Sequence, residues 1–471
     1  MSFNFSENDF DNIVYAKGKN SPPMLDSIVF DSTLVQESIS SVQKSESSLN
    51  ESLKLTICEP EQNKLQSQIR EAFGRVQRHT TGGIADHPDF KSLVHGGQKN
   101  HYITTMFIDI KGSTKLSLKY PNDLEFIYKF KNAVIKSCIE VIHAFDGYVH
   151  RIMGDAVLGF FGSTQGKISR PQSILDCLNA ASMLTVILEH TIKPWLKKQK
   201  SDFDVLDFGF RVGCNFGDTD EVLWANYGFG DVGEVSPTGL PVDLAAKLQG
   251  LANKNSIMMG QGLLEFFNFP HDFSKIKTIK ENLNDVEKEF IYPNYLKADG
   301  SSLNYIMRSL KTHKYILGLP LPLNLKKAIA TNVKENDKII SNIKFNLSAE
   351  LKYPNSNTEP YYSNSKVIVK NSKIIATLTA SDLSLQERYK VVFYKKNNTG
   401  FNDEAVLKSY LSDEEDSQEL KGENVQRLTT FTAKTSFERE CNFKGLHYIK
   451  CEVLNRNSVV IFRDYIYVPI E

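Results

Sequence analysis

The spacing of apolar residues divides this 471-residue chain into segments of different character. Residues 1–60 are polar and serine-rich, which predicts a flexible or loosely helical N-terminal segment. In residues 61–99 the apolar positions recur every three to four residues, and this period predicts a helical lead-in.

Residues 100–270 alternate between the periods of strands and helices. Strands are predicted over 104–110 and 208–215, and a hairpin over 147–161. Helices are predicted over 123–145, 174–189 and 242–251. A hairpin mixed with strand–helix units predicts an α+β fold, an α/β sandwich with an antiparallel-rich sheet packed by helices on one face.

The pattern of apolar and polar residues changes twice in the last part of the chain. Residues 271–335 mix short helical pieces with prolines and are interpreted as a bridging segment. From residue 336 the pattern is one of strands separated by Asn, Gly and Pro turns, with no clear helix. This pattern predicts a small C-terminal β-sandwich of immunoglobulin-like type over residues 336–471.

Charge and cysteine content narrow the class of protein. The chain has 56 basic and 56 acidic side chains, so its overall charge does not favour binding to nucleic acid. Its six cysteines show no metal-binding spacing, which suits a reducing compartment. Neither a signal-peptide pattern nor a run of about 20 apolar residues is present, so we expect a soluble, cytoplasmic protein without a membrane partner.

Two aspartates at strand ends are the main chemical signal. Asp109 ends an apolar strand and is followed by a Gly112-Ser113-Thr114 turn and a helix, while Asp155 lies at the tip of an apolar hairpin. Alone, Asp109 could be a helix N-terminal acid and Asp155 an ordinary turn residue. Two neighbouring buried carboxylates repel each other unless a cation lies between them. Together they therefore favour a site for two divalent cations, with the turn supplying N–H groups to phosphates.

Two further features remain ambiguous on the sequence alone. Asp243 and Lys247 stand four residues apart on a predicted helix, as in a surface ion pair. Pro241 at the helix start and small residues between the charges favour a ligand-facing position instead. The segment 228–233 matches GxGxxG, but no clear strand precedes it and no helix follows at once, so it is interpreted as a glycine-rich loop rather than a dinucleotide site.

The order of these motifs resembles that of the class III nucleotidyl cyclases. The resemblance covers residues 100–270 and rests on Phe-x-Asp-Ile-x-Gly-Ser-Thr, the Gly-Asp hairpin, the strand 211–217 and the segment 239–247. It implies a nucleotide cyclase domain that acts as a homodimer with active sites at the shared interface.

The resemblance also implies roles for individual residues. Asp109, Asp155 and the Ile110 carbonyl would hold two Mn²⁺ or Mg²⁺ ions, and backbone N–H groups of Lys111, Gly112, Ser113 and Thr114 would contact phosphates. The family's transition-state Asn and Arg fall on Asp243 and Lys247. Lys247 keeps the positive charge, whereas Asp243 lacks the amide donor.

At the base-recognition positions the chain carries Arg151 and Ser236, which match neither the adenylate nor the guanylate cyclase pattern. Arg and Ser suit the O2, N3 or O4 acceptors of a pyrimidine, and Phe107 could form a wall of the pocket. Arg151 could instead be a structural cation that pairs the hairpin. UTP and CTP remain open, since both bases share O2.

A cyclase domain followed by a β-sandwich resembles the Pycsar-type antiphage cyclases. That resemblance implies a pyrimidine nucleotide cyclase whose product, cyclic UMP or cyclic CMP, acts on a separate effector in antiviral defence, and a C-terminal domain that is sensor-like. Two alternatives stay open: an adenylate cyclase with divergent base contacts, and a catalytically inactive nucleotide-binding regulatory module.

Overall fold

The computed structural model describes residues 3–15, 63–78, 83–163, 168–229, 232–354, 357–384, 386–398, 400, 414–420 and 430–471. The α-helices are α1 (Glu7–Tyr15), α2 (Lys64–Ala72), α3 (Ser113–Lys119), α4 (Leu124–Ala144), α5 (Arg170–Ile187), α6 (Lys193–Gln199), α7 (Leu240–Leu251), α8 (Gln261–Phe266), α9 (Thr312–Leu317) and α10 (Leu323–Ile329).

The strands up to the bridging segment are β1 (Gln98–Asn100), β2 (Ile103–Lys111), β3 (Tyr148–Met153), β4 (Ala156–Phe161), β5 (Gly209–Gly217), β6 (Leu223–Phe229), β7 (Val232–Thr238) and β8 (Ser256–Gly260). The later strands are β9 (Ser274–Lys275), β10 (Lys277–Glu281), β11 (Asn284–Lys288), β12 (Met307–Leu310), β13 (Phe345–Lys352), β14 (Thr358–Tyr361), β15 (Ser372–Ser384), β16 (Tyr389–Lys396), β17 (Glu414–Leu420), β18 (Thr430–Cys441), β19 (Gly445–Leu454) and β20 (Val460–Ile470).

A seven-stranded sheet in the order β3-β4-β2-β5-β8-β12-β9 forms the centre of the molecule. Within it β5 and β8 run parallel, whereas β2 is antiparallel to both of its neighbours. Successive strand residues point to opposite faces, so Met106 and Ile108 of β2 and Val212 of β5 reach the core formed with α4 and α5. The predicted antiparallel-rich α+β sheet with helices is confirmed.

Helices cover both faces of this sheet, so the prediction of a single helical layer was wrong. α7 packs on the face opposite to α4 and α5, close against β5. A methyl group on Gly213 would lie 2.4 Å from the Ala245 carbonyl oxygen. Glycine in the strand and alanine in the helix thus permit backbone contact, which sequence periodicity alone could not assign to a face.

The predicted boundary at residue 270 needs a correction, because the bridging segment contributes to the central sheet. Met307 pairs with Gly260 of β8, and Ser309 pairs with Lys275 of β9. These strands were missed because they have four and two residues, too few for an alternating pattern.

The segment 1–60, predicted to be flexible or loosely helical, contains the helix α1 and is packed into the core over residues 3–15. Residues 16–62 lie outside the described part of the chain. Phe5 and Phe10 are fully buried in the main core. The Phe10 ring meets Trp195 edge-on, with centroids 5.2 Å apart. A few aromatic side chains anchor a segment whose average composition is polar.

Two four-stranded antiparallel sheets form the C-terminal region, in the orders β14-β13-β15-β18 and β17-β16-β19-β20. Alternate residues such as Val391, Phe393 and Val453 fill the space between the sheets and are fully buried. The predicted β-sandwich is confirmed, and face-to-face packing explains the period of two in its strands.

The helical stretch Arg170–Gln199 is the one in the described residues that is long and apolar enough to cross a membrane. Most of it is buried inside the protein, where it packs between the sheet and other helices. Core burial therefore accounts for its composition.

Candidate active site

The two acids singled out in the sequence lie side by side at one end of the central sheet. β2 pairs with β4 so that Asp109 lies opposite Ala156, the residue after Asp155. The Ile110 N–H donates to the Asp155 carbonyl at 3.3 Å. The hairpin thus joins two acids that are 46 positions apart in the chain (155 − 109).

Each acid has a protein partner. The Arg211 Nε donates to Asp109 Oδ2 at 2.8 Å across the β2–β5 pair. The buried Ser113 hydroxyl donates to the Asp155 carboxylate. These contacts orient both carboxylates, which otherwise repel each other.

The turn between β2 and α3 depends on one glycine. Gly112 has a φ of +92°, and a Cβ there would lie 2.4 Å from the Asp207 carbonyl oxygen. Both features require glycine. Lys111 and Thr114 on either side are exposed. The turn therefore presents its backbone close to the acid pair, and contact with phosphates stays a prediction.

The donor set fits hard divalent cations. Asp109 and Asp155 supply carboxylate oxygens beside the Ile110 peptide, and Mg²⁺ is commonly held by one or two carboxylates plus water and phosphate oxygens. The described residues contain no group of three or more His, Cys, Asp and Glu that could hold a metal by themselves. Water would therefore complete the coordination, and phosphate oxygens would replace part of it once a substrate binds.

Asp243 and Lys247 lie on α7 rather than at the hairpin that joins the two acids. Asp243 is exposed, and the Lys247 ammonium lies 5.8 Å from the centre of the Tyr295 ring. Ala245, one of the small residues predicted to admit another backbone, lies against Gly213 of β5 inside the fold. Neither the surface ion pair nor a ligand-facing role is tested by this geometry.

Arg151 and Ser236, the predicted base-reading residues, are brought to the same place by β3 and the β6–β7 hairpin. Arg151 donates from Nε to Glu234 at 3.1 Å, and its guanidinium also contacts the second Glu234 oxygen. The Ser236 hydroxyl lies 3.0 Å from Nε2 of His150. Both residues therefore belong to one polar cluster, and the structural pairing left open for Arg151 is present.

Burial keeps the imidazole in this cluster neutral. Desolvation, followed by repulsion from Arg151, lowers the pKa of His150 to about 4. The ring lies against Phe160 and Trp224, at centroid distances of 4.9 Å and 6.4 Å. A neutral imidazole can donate to or accept from Ser236, so it orients that hydroxyl at neutral pH.

Glu234 was missed because the segment around it was interpreted as a glycine-rich loop. β6 and β7 form a hairpin in which Gly228 pairs with Gly233. Glu234 and Ser236 are two residues apart on β7 and so share a face. The alternation Glu-Val-Ser-Pro was the available signal, but a proline within it obscured the strand.

Phe107 lies on the same face of β2 as Asp109, as predicted, and is partly buried. It packs against an apolar cluster that includes Leu158 and Val242. Its ring therefore has protein neighbours, and a role as a wall of the base pocket stays a prediction.

Comparisons with known proteins identify relatives of this chain. The Adenylyl/Guanylyl and SMODS C-terminal sensor domain family matches residues 324–471. A cytidylate cyclase of Escherichia coli is 32% identical over 412 residues, covering 86% of this chain and 87% of that protein. A cytidylate cyclase of Staphylococcus aureus is 38% identical over 224 residues, covering 48% of this chain and 51% of that protein.

Solved structures resemble the chain over less than half its length. The adenylyl cyclase CyaB from P. aeruginosa is 19% identical, with a TM-score of 0.33, covering 45% of this chain and 94% of that one. The guanylyl cyclase Cya2 is 17% identical, with a TM-score of 0.34, covering 46% and 92%.

Proposed function

The chain belongs to the Pycsar-type class III nucleotidyl cyclases, and we propose that it converts CTP into 3′,5′-cyclic CMP and pyrophosphate. The observation that carries the proposal is the acid pair Asp109 and Asp155 at one sheet end, in a chain whose relatives include cytidylate cyclases over most of its length. UTP is the competing substrate, because uracil and cytosine share the O2 acceptor.

The proposed reaction is attack of the ribose 3′-oxygen on the α-phosphorus, with pyrophosphate leaving. Asp109 and Asp155 would hold two Mn²⁺ or Mg²⁺ ions, which when bound lower the pKa of the 3′-hydroxyl and neutralise charge on the leaving group. Arg211 and Ser113 donate hydrogen bonds to the two carboxylates. The turn at Gly112 would offer N–H groups to the triphosphate.

Base selection is proposed for the cluster around Arg151. Its guanidinium can donate to O2 and N3 of cytosine, while Glu234 holds the fork in place from the opposite side. The Glu234 carboxylate is also an acceptor suited to the cytosine N4 amine, whereas O4 of uracil would face it as a second acceptor. Ser236, held by His150, completes the polar lining.

A homodimer is proposed because the groups expected at the transition state lie on a different element from the acid pair. Asp243 and Lys247 are on α7, which packs against β5, β8 and β2 of its own copy, and Asp243 is exposed. In a head-to-tail pair, α7 of one copy would face the acids of the other. The cyclic product would then act on a separate effector in antiviral signalling.

The proposal is tested by incubating the purified full chain with each of the four nucleoside triphosphates, with Mn²⁺ and with Mg²⁺, and identifying products by mass spectrometry. Cyclic CMP as the main product is expected. Cyclic UMP as the main product would show that UTP, and not CTP, is the substrate. Cyclic AMP as the only product would contradict a pyrimidine cyclase. No cyclic product at all would favour the nucleotide-binding regulatory module.

A pair of variants examines the base contact. Arg151→Met should raise the KM for CTP roughly tenfold or more, because a hydrogen bond to a charged group is lost. Arg151→Lys serves as the matched variant, because it keeps the positive charge and loses the planar fork. Unchanged KM in both variants would leave Arg151 as a structural partner of Glu234.

A further inference from the structure

Arg211 is a charged residue of the site that none of the predicted roles uses. It stands directly opposite Asp109 in the β2–β5 pair. Its Nε, at 2.8 Å, and one terminal nitrogen both donate to the same oxygen, Asp109 Oδ2. Two donors on one oxygen fix the plane of the carboxylate and leave Oδ1 to other ligands.

The ion pair between Arg211 and Asp109 is held in place by the strands around it. The side chains of Arg211 and Asp109 are 26% and 19% exposed. Both start from the interior of paired strands, on the face where α7 packs against Gly213. A guanidinium in this position is restrained by the sheet and still open to the region in front of the acid pair.

We propose that Arg211 is a positioning residue that controls how Asp109 meets a divalent cation. This inference rests on the proposed function, since it assumes that Asp109 is a metal ligand. The planar fork selects the carboxylate rotamer and directs Oδ1 towards the cation. The positive charge also opposes cation binding at Asp109 until an anionic triphosphate arrives.

The two effects of Arg211, geometry and charge, can be separated by substitution. Arg211→Gln removes the charge, and Arg211→Lys keeps the charge but cannot place two parallel donors on one oxygen. A residue that only stabilised the sheet would change the midpoint of unfolding in both variants without changing cation affinity. Cation affinity is therefore the measurement that a structural role would not move.

The experiment measures Mn²⁺ binding to the full chain without nucleotide, by electron paramagnetic resonance, and turnover of CTP with saturating Mn²⁺. Arg211→Gln should bind Mn²⁺ roughly tenfold more tightly than the original chain, because a neighbouring charge shifts such equilibria by a factor of about ten or more. Arg211→Lys, which keeps the charge, should not show this gain in Mn²⁺ affinity. Both variants should turn over CTP at least about tenfold more slowly, because carboxylate orientation is lost.

Arg170→Gln is the matched control. Arg170 also forms an arginine–aspartate pair, with Nε 2.7 Å from Asp218, but outside the acid pair. Its removal should leave Mn²⁺ binding and turnover unchanged.

Two results would overturn the inference. One is Mn²⁺ affinity in Arg211→Gln equal to that of the original chain; the other is a loss of turnover that only follows a loss of folded protein. Failure of the proposed function is a separate result, since it would show as no cyclic product from the unmodified chain, whatever the variants bind.

Discussion

The central sheet and the C-terminal sandwich use β-strands for different purposes. In the central sheet the apolar pattern of β2 and β5 is interrupted by Asp109 and Arg211, which face each other. In the sandwich, Phe393 and Val453 continue the apolar pattern between two sheets and are fully buried. A sheet with an end open to a ligand can keep charges that a closed, face-to-face core would exclude.

The two regions nevertheless share structure. Tyr465 and Tyr467 of β20 belong to the main core together with α5 and Phe273. On α5, Gln172 and Asn179 bond to the chain between β14 and β15, where Val367 N–H donates to Gln172 at 2.9 Å. The helix that packs on the catalytic sheet therefore also carries the contact with the sandwich, so a change in either region reaches the same element.

The sharpest way to test the contrast is to remove one acid from each region. Asp155→Asn should lower turnover of CTP roughly a thousandfold or more, because an amide is a poor ligand for a divalent cation, while the fold is kept. The matched variant Asp382→Asn alters an exposed residue of β15 with a φ of +53°, a conformation that Asn tolerates. It should turn over as the original chain does. Product assays with thermal unfolding check both, and full activity of Asp155→Asn would remove the metal mechanism.

The next test targets the sandwich core, where a substitution should lower stability and leave turnover per folded molecule unchanged. Phe393 is fully buried and stacks on Phe437 with ring centroids 5.3 Å apart. Phe393→Ala should lower the free energy of unfolding by about 3–5 kcal/mol. Urea unfolding measures this, with Phe443→Ala, at a more exposed ring, as the mild control. If kcat per folded molecule also fell strongly, the two regions would be more tightly coupled than their cores suggest.

The contact between the regions should have a smaller effect. Asn179 exchanges hydrogen bonds with Asn364 at 2.8 Å and 3.0 Å and accepts one from Tyr315. Asn179→Ala leaves these buried groups without partners and should cost about 1–3 kcal/mol. Ser182→Ala, on the same helix, removes a buried hydroxyl that has no partner in the described structure, so it should be near neutral. Equal effects in urea unfolding would contradict the role of this network.

A pH dependence of stability is expected in the catalytic region, from one buried carboxyl group. Burial raises the pKa of Glu140 to about 8, although the Gln66 N–H donates to it at 3.1 Å. Between about pH 4.5 and 8 the folded chain holds a proton that the unfolded chain has lost, so stability falls as pH rises through this window. The slope for one proton is about 1.4 kcal/mol per pH unit.

Glu140→Gln should flatten that dependence, because the amide resembles the protonated acid in shape and cannot ionise. Urea unfolding at several pH values between about 5 and 8 measures the slope. An unchanged slope in this variant would assign the pH dependence to other groups.

Much of this fold could be predicted from the sequence because its strong signals are local. The long periodic helices α4 and α5 and the β3–β4 hairpin follow from residue spacing over about 15 positions. Short elements such as β9 and β12 could not be found, since a strand of two to four residues has no measurable period. The position and burial of α1 could not be found, because a few buried aromatics counted for little in a polar segment.

Some residues of the candidate site could be predicted from the sequence and others could not. Asp109, Asp155, Arg151 and Ser236 could be named from motif order, because each stands beside a recognisable turn or strand. Arg211 and Glu234 could not, since their importance comes from partners 102 and 83 positions away in the chain.

The sequence by itself determined the long helices, the longer strands of the central sheet and the positions where acids follow apolar strands, because all of these depend on neighbours within a few residues. Only the tertiary structure decided that Arg211 faces Asp109, that Glu234 holds Arg151, and that the bridging segment completes the sheet. Those outcomes depend on strand register and on which side of the sheet each helix packs, and both are set by contacts between distant parts of the chain.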